Sequence, residues 1–237
     1  MPGPDFPRIV PMGDSALVVE FANEPRPELS SHIAAIASRL RGAPPAGVLD
    51  VVPTYTTLAV HYDPALIEEG DSPYDTLAGE IEERLRGEPP DSVVTGHLVE
   101  IPVCYGGRFG EDLEPIAARI GLRAAEVADL HSAGHYYVYM LGFVPGFAYL
   151  GGLDPRLATP RRDIPRPRVP AGSVAIGGTS TGIFPLETPG GWHLIGRTPM
   201  RLFLADAQPP CLLNAGDHVR FVPISEGQFE DMAREAS

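Results

Sequence analysis

Five arginines, Arg156, Arg161, Arg162, Arg166 and Arg168, fall within thirteen residues and alternate with Pro155, Pro160, Pro165 and Pro167. Proline removes backbone freedom, so these guanidinium groups are held ready to meet a carboxylate or phosphate. The chain carries a formal net charge of −13, which makes this cationic run a local anomaly. It reads as an anion site, as a docking edge for a partner, or as surface ion pairs with Asp154 and Asp163.

Just before it lies GFVPGFAYLGGL, Gly142 to Leu153. Glycine lets backbone approach a ligand and proline stiffens the approach, while Phe143, Phe147 and Tyr149 can wall a pocket or pack beneath a barrel. Trp192 and His193 follow Pro189-Gly-Gly191, where the indole either lines a cleft or fills a core. Two apparent motifs carry less. Gly178-Thr-Ser-Thr-Gly182 fits the nucleophile-elbow pattern, but a proline-containing run follows where that motif needs a helix. His131 and His135 are spaced i, i+4, yet Gly134 lies between them and no glutamate follows His131, so His131 is expected to pack beside Val127 and Leu130.

Composition removes whole mechanisms. All 18 basic residues are arginine, so no lysine can form a Schiff base or serve a Walker-type phosphate loop. Any nucleotide phosphates must be held by arginine, backbone N–H groups or another chain. Cys104 and Cys211 are too few for a disulfide framework or a cysteine-based zinc site, and both are expected to be buried. The acidic balance argues against nucleic acid and anionic membranes as partners. Nothing at the N-terminus resembles a secretory signal and no apolar run is long enough to span a membrane, so a cytoplasmic protein is expected.

The elements that must position these residues fall into two groups. Ala16 to Phe21 reads as a strand, and Leu29, Ile33, Ile36 and Leu40 share one helix face. Val48 to Val52 and Thr57 to Tyr62 are strands, the latter turning Leu58, Val60 and Tyr62 to one side. Ser72 as N-cap and Pro73 open a second helix carrying Tyr74, Leu77, Ile81 and Leu85. This pattern predicts a small α+β domain over residues 1–95, closed by the linker-like Arg86 to Ser92. Residues 96–226 then supply a strand from His97 to Tyr105 and helices near Asp112–Ile120 and Ala124–Ser132. Short strands follow at Val138–Leu141, Val174–Ile176, His193–Ile195, Arg201–Leu204 and His218–Pro223, which predict a barrel or sandwich. Residues 227–237 are expected to form a tail.

Read together, HSAGHYYVYMLGFVPGFAYLGGLDPRLATPRRDIPRPRVPAGSVAIGG and PLETPGGWHLIGRTPMRLF resemble the family of the 5-oxoprolinase B subunit, the sporulation kinase inhibitor and allophanate hydrolase subunit 1. VPTYTTLAVHYDP and GDHVRFVPI extend the resemblance across nearly the whole chain. It implies an α+β N-terminal domain followed by a mainly-β cyclophilin-like barrel. It also implies a hetero-oligomer with a C-type and an A-type subunit that opens the 5-oxoproline lactam to L-glutamate at the expense of ATP, with Mg2+ accompanying the nucleotide and no metal on this chain. Under that reading Arg166 and Arg168 bind a carboxylate or phosphate. N–H groups near Gly142, Gly177 and Gly178 face developing negative charge. Phe143, Tyr149 and Trp192 line the site, and Thr181 and His193 orient the substrate.

Where such relatives carry Gln-Thr-Gly-(Val/Ile)-Tyr-Pro and Gly-Trp-Gln, this chain has Ser180-Thr-Gly-Ile-Phe-Pro185 and Gly191-Trp-His193. Three polar handles therefore differ, and a different lactam or amide is an open alternative. So are an inhibitor of a sensor histidine kinase, a component of an allophanate or urea amide-hydrolysing system, and, on fold analogy alone, a prolyl isomerase.

Overall fold

The computed structural model describes residues 7–67, 72–86 and 96–235. Contacts divide the chain into two units, Met1–Thr95 and Gly96–Ser237. The linker read from the sequence lies, beyond Arg86, outside the described residues.

In the first unit β1 (Arg8–Pro11), β2 (Ala16–Glu20), β3 (Val48–Pro53) and β4 (Thr57–Tyr62) form an antiparallel sheet in the order β1-β2-β4-β3. Helices α1 (Pro27–Gly42) and α2 (Pro73–Leu85) supply the other half of its core. Strict alternation along β4 buries Leu58, Val60 and Tyr62, while Ile33, Ile36 and Leu40 of α1 and Leu77 and Ile81 of α2 meet them. The Ser72 hydroxyl accepts from the Asp75 N–H at 3.2 Å and fixes where α2 begins. Strand β1 had no sequence signal of its own.

The second unit contains β5 (Leu98–Tyr105), α3 (Leu113–Ile120), α4 (Ala124–Ala133), β6 (Tyr136–Leu141), β7 (Ala148–Gly151), β8 (Arg166–Val169), β9 (Ser173–Gly177), β10 (Ser180–Ile183), β11 (Thr188–Gly190), β12 (His193–Arg197), β13 (His218–Pro223) and α5 (Glu226–Glu235). Seven strands close a barrel in the order β10-β7-β6-β13-β5-β12-β9, and β8 pairs with β11 as a separate two-stranded ribbon. The fold is thus the expected α+β domain followed by a mainly-β barrel. The β5–β13 pair is parallel, from His218 beside Leu98 to Pro223 beside Val103, and it joins the two ends of the unit's chain.

Three local expectations fail. Arg201–Leu204 is not a strand; Phe203 makes only an isolated bridge to Cys211. The segment expected as a tail is largely α5, held by Phe229, whose ring lies 4.5 Å from that of Phe109, and by Arg108 pairing with Glu226 and Glu230. Cys104 is buried as expected, but Cys211 is half-exposed.

Candidate functional site

Strand alternation gives the barrel wall two different faces. Ala148, Leu150, Val174, Ile176, Ile183 and Ile195 point inward to the main core. Their neighbours Ala175 and Leu194 point outward and pack with Phe147, Val169, Phe184 and Trp192 in a second apolar layer. The candidate cleft lies on this outer face, and the inward-facing residues pack into the main core.

The cleft encloses about 320 Å³ and is lined by Phe143, Phe147, Tyr149, Phe184 and Trp192, by Pro165, Pro189, Gly190 and Gly191, and by Arg161 and Arg162. Phe147 organises its floor, with ring centroids 5.2 Å from Phe184, 5.6 Å from Trp192 and 4.9 Å from Tyr149, all edge-on. Glycines make this stacking possible. A Cβ on Gly177 would meet the Trp192 indole at 2.6 Å, and one on Gly190 would meet the Phe184 ring at 2.8 Å. At the lip, Phe143 is 61% exposed and has φ 69, a left-handed conformation costly for an aromatic residue. The Val144 N–H donates to the Gly142 carbonyl at 2.9 Å across it, which closes a three-residue turn.

Beside the cleft, Asp112 ties three segments together. It precedes α3 but does not cap it; its carboxylate turns to β12 and accepts the Leu194 N–H at 2.7 Å. It also accepts Arg166 in bidentate fashion, at 2.7 and 2.8 Å, and Arg162 at 3.1 Å. Burial alone would raise the Asp112 pKa, but the bonds from Arg166 and Leu194 and the two guanidinium charges outweigh it and hold the carboxyl below its usual range. Arg162 is further fixed by its N–H to the Gly191 carbonyl, at 2.8 Å. Its side-chain Nε is nevertheless buried with no acceptor, a donor whose desolvation costs about 1–3 kcal/mol. Arg161 has no carboxylate partner among the described residues, and its guanidinium lies over the Trp192 ring at 5.8 Å.

A separate polar chain runs through the barrel core. The Thr181 hydroxyl donates to the Ala175 carbonyl at 2.9 Å, so its lone pair accepts from His131 Nε2–H at 2.9 Å. His131 Nδ1 then accepts from the Tyr105 hydroxyl at 2.7 Å. His131 is completely buried, stacked on Phe221, and burial pushes its pKa down to about 3. This neutral, saturated relay reads as structure.

Phe143, Tyr149 and Trp192 line the cleft as expected. Thr181 does not reach it, because alternation on β10 sends Gly182 outward and Thr181 inward. His193 donates from Nε2 to the Pro160 carbonyl at 2.9 Å, outside the cleft lining. The N–H groups proposed for an oxyanion are already used: Gly142 donates to Phe147 O at 3.1 Å and Gly178 to Thr159 O at 2.8 Å. Gly177 serves instead as the bed for Trp192. Arg166 is committed to Asp112 and Glu111, and Arg168 is exposed, 3.9 Å from Glu187. Of the arginine cluster, Arg161 and Arg162 line the cleft, and Arg166 and Arg168 do not. Of the three departures from the family pattern, only Phe184 lines the cleft. Ser180 sits on β10 between β9 and β7 with no helix after it, as expected for a chance elbow pattern. Asp112 was missed altogether; its partners lie 50 to 82 residues away, beyond any local pattern.

The chain has no lysine, and no group of three or more His, Cys, Asp or Glu side chains among the described residues could hold a metal ion. No described helix is long and apolar enough to cross a membrane.

Residues 7–213 match the family described as carboxyltransferase domain, subdomain C and D. The chain is 44% identical to the 5-oxoprolinase B subunit of Bacillus subtilis over 235 residues, covering 97% of this chain and 98% of that one. It is 43% identical to the 5-oxoprolinase B subunit of Escherichia coli O157:H7, covering 91% and 95%. The crystal structure of TTHA0988 superposes with a TM-score of 0.77 at 39% identity, covering 89% of this chain and 40% of that one. This chain thus spans less than half of that solved protein. The match along nearly the full length means that the chain belongs to the carboxyltransferase subdomain C and D family, alongside the 5-oxoprolinase B subunits.

Proposed function

We propose that this chain is the B-type subunit of an ATP-dependent 5-oxoprolinase, which joins C-type and A-type chains to open 5-oxoproline to L-glutamate in the cytoplasm. The observation that carries this reading is the 44% identity to a 5-oxoprolinase B subunit across 97% of one chain and 98% of the other. An apolar cleft of about 320 Å³ edged by two arginines suits a small acidic ring.

The chemistry explains why partners are needed. A lactam nitrogen is a poor leaving group and the ring carbonyl is a weak electrophile until its oxygen is activated. ATP supplies that activation, and Mg2+ accompanies it. With no lysine and no cluster of metal ligands among its described residues, this chain leaves the nucleotide to its partners. Its own residues bind and orient the acid and exclude water from it.

The test is glutamate release from 5-oxoproline and ATP by the three co-expressed chains, with this one included or omitted. Release that depends on this chain supports the reading. Release that survives its omission removes it, and loss of sensor-kinase autophosphorylation on adding this chain alone would favour an inhibitor instead.

A further inference from the structure

We infer that the outer-face cleft binds a small cyclic monocarboxylate on this chain alone, with Arg161 and Arg162 taking the carboxylate and Trp192 and Phe147 the ring. The site does not depend on the function proposed above, but the identification of the acid as 5-oxoproline rests on that reading.

The ion pairs around Asp112 leave Arg161 as the cation available to an anionic ligand. Arg162 and Arg166 are neutralised at Asp112 and Glu111, whereas Arg161 lines the cleft without an ion pair among the described residues. Asp112 cannot serve Arg161 as well, because it already accepts two bonds from Arg166, one from Arg162 and one from the Leu194 N–H. The Arg161 guanidinium is therefore the cation the cleft offers, on a chain whose net charge is −13.

Geometry supports the same class of ligand. Arg162 is anchored at both ends, by its backbone N–H to Gly191 and by Nη1 to Asp112, yet its Nε is buried without an acceptor. Arg161 has the complementary property, an exposed guanidinium with no ion pair among the described residues, lying 5.8 Å from the Trp192 ring centroid. A carboxylate in the cleft gives the exposed Arg161 guanidinium a counter-charge beside Arg162. Apart from Gly190 and Gly191, the rest of the wall is aromatic and proline, which suits a small ring. Arg168 is excluded because it faces Glu187 outside the lining.

Trp192 is the sole tryptophan of the chain and lines the cleft, so its fluorescence reports this site specifically. The full chain is titrated with 5-oxoproline, with 2-pyrrolidone, which keeps the lactam but lacks the carboxylate, and with cyclopentanecarboxylate, which keeps the acid but lacks the lactam. A saturable change with 5-oxoproline is expected, with binding at least about tenfold weaker for 2-pyrrolidone and for Arg161→Ala. Arg162→Lys keeps the charge beside Asp112 but loses the fork and is expected to weaken binding by about fivefold or more, whereas Arg168→Ala leaves it unchanged. Arg161 is exposed, so its variant folds even if Arg162→Lys does not. No saturable change from either acid, or an unchanged Kd in Arg161→Ala, overturns the site. Binding without glutamate release by the assembled chains would leave the acid site and remove the proposed function. Glutamate release with no binding signal would do the reverse.

Discussion

The guanidinium of Arg166 lies bidentate on the carboxylate of Asp112, 2.7 and 2.8 Å away, and so joins the β8–β11 ribbon to the start of α3. Asp112 is 5% exposed, which makes the pair more than a surface contact. Asp112→Asn keeps the shape but leaves Arg162 without a counter-charge and Arg166 with only the exposed Glu111. It is expected to cost about 3 kcal/mol, measured as a fall in the chemical-denaturation midpoint. A loss below about 0.5 kcal/mol would show that the knot does not hold the ribbon.

Gly177 is expected to be intolerant of any side chain. Its alanine variant places a methyl at 2.6 Å from the indole of Trp192, and the ring must leave the strand. Expected are a loss of about 1–3 kcal/mol and a red-shifted Trp192 emission, because the displaced indole meets water. Unchanged emission would refute the stacking of the indole on β9.

Much of the frame was legible in the sequence because it rests on local periodicity. The alternation of Leu58, Val60 and Tyr62 and the Ser72 cap of α2 needed only neighbouring residues, and both appear in the structure. The cleft was legible as a segment but not residue by residue. Pro-rich spacing marked the arginines, but only the Asp112 contacts decide that Arg166 is tied down and Arg161 is available. Thr181 was misread for a related reason. Its neighbours in sequence made it a plausible polar handle, but β10 alternation turns it to His131 inside the barrel.

His131 gives a pH dependence with a definite sign. In the unfolded chain its imidazole takes a proton near the ordinary value of 6.5, and in the folded chain only near about 3. Between these values the unfolded state binds the extra proton, so stability falls as pH drops through that window, by up to about 1.4 kcal/mol per unit. His131→Gln is expected to flatten the dependence of unfolding free energy between about pH 6 and pH 4. An identical slope in both proteins would contradict the buried neutral histidine.

Thr181 is expected to matter for the relay and not for turnover. Thr181→Val leaves the His131 Nε2–H without an acceptor and should cost about 1–3 kcal/mol, whereas Thr181→Ser keeps the oxygen and most of the stability. With folded protein matched, Thr181→Ser should leave glutamate release by the assembled chains within about twofold of wild type. A loss of a hundredfold or more would return Thr181 to the reaction.

The central claim is tested most directly by titrating this chain into its A-type and C-type partners and following ATP-dependent glutamate release from 5-oxoproline. Release is predicted to rise from background and saturate at a fixed stoichiometry, and to be at least about tenfold lower with Arg161→Ala at subsaturating 5-oxoproline. Full release without this chain, or equal release with the wild-type and Arg161→Ala chains, would contradict the account.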